Sequence, residues 1–114
     1  ATQRKDMCAV CEFGYTITDE YFNVIERDNL IINPDISHNS WDWYVLRNIL
    51  TRPIKEYTKQ PKLTYYYQRI AKLFESSDYV IGHSLDSDTV SFNRNLQRYG
   101  LNSIDYDFYD VKII

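Results

Sequence analysis

Tyr79–Gly100 reads YVIGHSLDSDTVSFNRNLQRYG, and its hydrophobic period changes partway along. Tyr79-Val80-Ile81 is too short for a helix and rich in β-branched residues, which predicts a buried strand. Gly82 lets the backbone turn without a Cβ penalty. His83 and Ser84 then stand at the strand's mouth. From about Ser87 the spacing becomes helical, with Asp88, Phe92 and Leu96 recurring every fourth residue and Tyr99 one turn on. Gly100 closes that helix as the glycine after its last turn. The stretch therefore predicts strand, polar turn and helix, with the Asp88 carboxylate in the helix's first turn. In open α/β sheets, ligands bind at the carboxyl ends of strands.

Working outward, 7–18 alternates, with Cys11, Phe13, Tyr15 and Ile17 on one face and Glu12, Gly14, Thr16 and Thr18 on the other. That is a half-buried strand. Asp19–Asn23 supplies a turn, and Val24–Asn33 returns antiparallel until Pro34 stops it. A lone hairpin is marginal, so it is expected to join a larger sheet, at the edge of the 79–81 strand or of a strand outside this chain. Ser40 is placed to N-cap a short helix reaching Leu50, with Trp43, Leu46, Ile49 and Leu50 on one face. Pro53 and Pro61 bracket a polar connector. Lys62–Glu75 then reads as a helix, burying Leu63, Tyr66, Tyr67, Ile70, Leu73 and Phe74 at three-and-four spacing. Tyr106–Val111 reads as a last strand. The class is α/β: a mixed sheet flanked by helices.

The 114 residues suit a single domain spanning 1–114, and 44% hydrophobic content is enough for a core. No apolar run approaches the roughly 20 residues of a membrane helix, and no signal peptide opens the chain, so a cytoplasmic protein without membrane contact is the expectation. Cys8 and Cys11 form one C-x-x-C, and zinc would need His38 and His83 as further ligands. Positions 8 and 11 of a strand face opposite ways, so reduced structural cysteines are expected.

The net charge of −3 gives no global attraction for nucleic acid. Its distribution is uneven. From Arg47 to Lys72 lie seven basic residues against the single acid Glu56, while the rest of the chain holds six basic residues and fifteen acids. Arg52, Lys55, Lys59, Lys62, Tyr65 and Arg69 form a basic, tyrosine-rich segment suited to a single nucleic-acid strand, which stacking and phosphate contacts hold without reading sequence. The plainer reading is a solvated helix face.

Gly82-His83-Ser84-Leu85-Asp86-Ser87-Asp88, followed by an amphipathic helix ending Arg98-Tyr99-Gly100, resembles the second motif of the DEDD 3′–5′ exonuclease superfamily, H-[NS]-x-x-x-D. Proofreading polymerase subunits and ribonuclease T belong to it. Glu12-Phe13-Gly14 and Asn33-Pro34 resemble its early hairpin. The resemblance implies a ribonuclease H-like mixed sheet and two-metal hydrolysis of phosphodiester bonds at 3′ ends of DNA or RNA single strands, with Mg²⁺ or Mn²⁺ as cofactor. It makes Asp88 a metal ligand and gives His83 a catalytic place at the strand end, where a buried, hydrogen-bonded histidine is the alternative.

The family's first motif, Asp-x-Glu, does not occur before Cys8, and its third motif is expected beyond Asp110. The resemblance therefore carries one of the four family acids and implies a domain incomplete at both ends. Glu12 within the hairpin strand and Asp86 as a turn or capping residue are poor substitutes, and Asp110 ends a strand. The competing function is a catalytically inactive nucleic-acid- or protein-binding module on the same fold. Oligomeric state is not encoded in any of these features.

Overall fold

Alternation near the amino end builds β1 (Glu12–Thr18), which pairs antiparallel with β2 (Val24–Ile31), Phe13 opposite Leu30 and Tyr15 opposite Asp28. The computed structural model describes residues 9–37, 40–41, 43–50, 52–82, 85–104 and 108–110, with backbone alone at 43–44, 82, 85–89 and 108–110. After the hairpin come α1 (Trp43–Asn48), α2 (Ile54–Thr58), α3 (Leu63–Glu75), β3 (Val80–Gly82), α4 (Leu85–Arg98) and β4 (Phe108–Asp110). The class is mixed α/β. No helix among the described residues is long and apolar enough to cross a membrane.

The strands form two separate two-stranded sheets, β1 with β2 and β3 parallel to β4. The expected junction of the hairpin with the 79–81 strand is therefore absent among the described residues, and a cleft lies between them. The expected burial of that strand is also corrected: Tyr79 is 68% and Ile81 55% exposed. Among the described residues β3 is laddered to β4 alone, and a three-residue apolar run says nothing about whether its edges are covered.

Two apolar clusters hold the fold. In the larger, Val10, Leu30 and Ile32 of the hairpin meet Leu63 and Ile70 of α3 and Leu96 of α4. Each fully buried Leu or Ile stabilises by about 1.5–3 kcal/mol. α3 runs as its periodicity predicts, with Lys62 at its N-cap and Leu63 and Ile70 buried. The second cluster gathers Cys11, Trp41 and Tyr57. It corrects two expectations. Of the face expected for α1, Leu46 and Leu50 pack against this cluster, but Val45 is the residue buried among the described side chains and Ile49 is 56% exposed; the Trp43 side chain lies outside those described. The polar connector after Pro53 winds into α2 and buries Tyr57 completely.

α4 begins at Leu85, earlier than the Ser87 spacing predicts, and ends as expected: Gly100 adopts φ 69°, a left-handed conformation that glycine takes without cost. The chain is then led back by Asn93, whose carboxamide accepts the Ile104 amide at 2.9 Å and donates to its carbonyl at 3.2 Å. Tyr67 donates to the Asn102 carbonyl at 3.0 Å. This return lays β4 parallel to β3.

Candidate functional site

β3 ends at Gly82, opposite Asp110 at the end of β4, so the carboxyl ends of two adjacent parallel strands lie together. α4 departs from that end, and Asp88 is its fourth residue, within the first turn. The predicted His83 lies outside the described residues. Of Asp86 and Asp88 the helical backbone alone is described. Among the described residues no group of three or more His, Cys, Asp or Glu side chains is gathered as a metal would require. Glu12 belongs to a different neighbourhood, where Arg52 donates to its carboxylate at 3.3 Å and Asn29 at 3.4 Å.

The body of α4 is fixed firmly. Leu96 is fully buried, and the Phe92 ring meets Phe13 with centroids 5.7 Å apart. Buried Asn95 accepts the Val10 amide at 3.3 Å. At the far end Arg98 donates to the Pro34 carbonyl at 2.7 Å and also to the Asp35 carbonyl. That grip secures a turn in which Asp35 adopts φ 55° and its amide bonds to the Asn33 side chain at 2.9 Å.

The six residues of the predicted nucleic-acid surface lie along 52–69, across the stretch before α2, α2 itself and α3. Several are already engaged with acids. Arg52 pairs with Glu12, Lys59 with Glu56 at 3.1 Å, Lys62 with Asp35 at 3.3 Å and Arg69 with Asp28 at 2.6 Å. All are exposed or half-buried surface pairs, worth about 0–1 kcal/mol each. Lys55 is exposed. Tyr65 is 73% exposed and stands edge-on to Tyr66 at 5.1 Å, leaving a ring available for stacking. Acid partners from the hairpin were not foreseeable from the 47–72 composition, although the acidic balance elsewhere was a signal that counter-charges were at hand.

Cys11 is a free, fully buried thiol, and burial pushes its pKa up, which makes it a packing residue. Cys8 and His38 lie outside the described residues. Beside Cys11, burial and then the Glu12 charge push the Tyr57 hydroxyl up to about 12. That hydroxyl and the neighbouring Trp41 Nε1 are buried without a hydrogen bond.

Between the hairpin and β3 opens a cleft of about 1000 Å³, walled by β1 on one side and by Tyr79, Val80 and Ile81 on the other, with Phe74 and Phe92 also lining it. No protein-family model, no curated protein and no solved structure matches this chain.

Proposed function

We propose that this chain serves metal-dependent 3′–5′ exonuclease chemistry, hydrolysing phosphodiester bonds at 3′ ends of DNA or RNA single strands on a ribonuclease H-like fold. The observation that carries the reading is the unit β3–α4–β4, in which the first turn of α4 starts beside the carboxyl ends of two parallel strands. Ligands and metals collect at such ends because main-chain dipoles and side chains converge there. By its four-residue spacing Asp88 shares a helical row with Phe92 and Leu96, which pack on the main core.

Mg²⁺ or Mn²⁺ needs several oxygen ligands, and the described residues do not assemble that set. No chemical step through a metal is therefore derived, and in this reading further carboxylates must join Asp88. The basic, tyrosine-bearing surface of 52–69 would track the strand.

The same surface favours a second reading, a binding module without catalysis, because it is built independently of any carboxylate cluster. Release of nucleotides from the 3′ end of a labelled single strand, with Mg²⁺ or Mn²⁺ supplied, separates the two. Asp88→Asn should abolish release and Asp86→Asn should retain most of it. Strand binding with no release by the unsubstituted protein transfers the assignment to the binding module. Near-full activity of Asp88→Asn rejects the ligand assignment.

A further inference from the structure

The turn that joins β1 to β2 is tightly bonded, yet it leaves its apolar side chains in water. Asp19 accepts the amides of Tyr21 and Asn23, both at 2.9 Å, and its own amide meets the Asn23 carbonyl at 3.0 Å. Tyr21 and Phe22 are each 75% exposed, and Val24 and Ile25 are more than half exposed. Phe22 holds its ring out from φ 64°, a conformation unfavourable to any residue with a Cβ. An exposed apolar cluster of this kind marks an interaction surface. Among the described residues, Tyr15 is the last of β1 to pack on the main core, so the tip projects about 10 Å beyond it.

Charge restricts what can meet this tip. Residues 19–28 hold four acids, Asp19, Glu20, Glu26 and Asp28, against Arg27 alone. Such a tip repels phosphate, so neither a nucleic-acid strand nor an anionic membrane suits it. Its complement is a surface that sets cations around an exposed ring. α3 carries one: Lys62 at its N-cap, then Tyr65, Arg69 and Lys72 at three-and-four spacing, all exposed along about 15 Å of helix. Residues 62–72 include no acid. Lys62 and Arg69 already meet Asp35 and Asp28. An ammonium has three donors and a guanidinium five, so each can take a second carboxylate without releasing the first.

The tip's own α3 does not cover it, since Tyr21 and Phe22 remain exposed. α3 begins at the base of the hairpin, where Lys62 bridges to Asn33, and runs along it, with Arg69 beside Tyr15 and Asp28. Two copies with their hairpins antiparallel therefore bring each tip to the Lys62 end of the other's α3. That arrangement is two-fold and closed, so both contacts form at once. We infer that the acidic, aromatic hairpin tip docks on the basic stripe of α3 in a second copy of this chain, giving a reciprocal dimer. The inference stands apart from the exonuclease reading.

Sedimentation velocity of the full chain tests it. The unsubstituted protein should pass from monomer to dimer as concentration rises, and the dimer should weaken by about tenfold from low to high salt. Phe22→Gly removes the ring and relieves the backbone, so it should fold, judged by circular dichroism, while association falls by about tenfold. Glu20→Lys and Lys62→Glu should each weaken association by about tenfold, and an equimolar mixture of the two should recover the dimer, because opposite charges then meet at both contacts. Should Lys62→Glu fail to fold, the salt dependence and Phe22→Gly decide. A monomer at every concentration overturns the inference. So does a dimer indifferent to salt or to Phe22→Gly. Binding of neutral phosphatidylcholine vesicles through Phe22, by a protein that stays monomeric, overturns it as well and assigns the tip to a membrane.

Discussion

Arg69 of α3 donates to the Asp28 carboxylate of β2 at 2.6 Å, and to the Tyr15 hydroxyl at 2.9 Å, with its guanidinium 5.9 Å from the centre of the Tyr15 ring. Tyr15 in turn donates to Glu26 at 2.7 Å. Arg69, like Arg52 with Glu12, is thus held by an acid of the hairpin. The Arg69 hydrogen bond holds the Asp28 carboxyl below the usual carboxylate range. Asp28→Asn should release Arg69 and strengthen binding to a single strand, steepening the salt dependence by about one phosphate contact. Arg69→Ala should weaken it by less than the same change at Lys55, whose side chain meets no carboxylate among the described residues. Fluorescence anisotropy at several salt concentrations reads both, and equal salt slopes for Asp28→Asn and the unsubstituted protein would remove Arg69 from the interface.

Leu96 joins α4 to the main core at full burial, whereas Phe92 is half-buried against Phe13. Leu96→Ala should therefore cost about 2–5 kcal/mol in chemical denaturation, the transfer and cavity terms together. Phe92→Ala should cost less, since part of its ring remains in water beside the cleft. A loss under about 1 kcal/mol for Leu96→Ala would mean that α4 is not anchored there.

These contrasts mark where the sequence was legible. α3 was readable end to end because thirteen residues of sustained periodicity sit behind Pro61. The hairpin was readable because alternation over 11–18 meets a turn and a return strand. Tyr57 was not: α2 has five residues, too few for a period to declare which side is buried. Ion pairs such as Arg52 with Glu12 join positions 40 apart, and only the fold decides that distance. The strand at 79–81 was recognisable from its β-branched run, but its exposure depends on what covers its edges. For the candidate site, the strand–turn–helix was legible at backbone level, while His83 and the Asp88 side chain lie outside what is described.

The hairpin's turn carries a correctable strain. Asp19 accepts the amides of Tyr21 and Asn23, both at 2.9 Å, and those bonds, Asn23 foremost, hold its carboxyl below the usual range. Phe22 follows at φ 64°, in the left-handed region, with its ring 75% exposed. A left-handed conformation costs a non-glycine residue about 1–2 kcal/mol, and little packing is lost with an exposed ring. Phe22→Gly should be neutral to stabilising by up to about 1 kcal/mol after the added chain entropy. Asp19→Ala should destabilise. The Asp19 contribution, from a depressed pKa, is present above the unfolded carboxyl's pKa and is lost as pH falls through the folded one. Thermal melts of both variants, repeated in acid, check the signs, and a clear loss with Phe22→Gly would show that the ring has a contact this turn does not reveal.

Tyr57 gives a prediction at the other end of the pH scale. Its side chain is fully buried against Trp41, with ring centroids 5.5 Å apart, so its bulk is needed. Among the described residues its hydroxyl has no partner at hydrogen-bond distance, and a buried unsatisfied polar group costs about 1–3 kcal/mol. Tyr57→Phe keeps the ring and removes that group, so it should leave stability at neutral pH unchanged or raised by about 1 kcal/mol. Tyr57→Ala should instead cost about 3–5 kcal/mol, the penalty of emptying an aromatic site. The pH dependence separates the hydroxyl from the ring. Burial, then the Glu12 charge, raise the folded pKa from 10.0 to about 12. Between those values the unfolded chain has lost the proton and the folded chain has kept it. Stability is therefore whole below pH 10 and falls as pH rises toward 12, by roughly 2–3 kcal/mol for such a shift. Denaturant titrations across that range should show the slope in the unsubstituted protein and a shallower one in Tyr57→Phe. Identical slopes would mean that the Tyr57 hydroxyl is solvated or bonded, and that the second cluster is open to water at its centre.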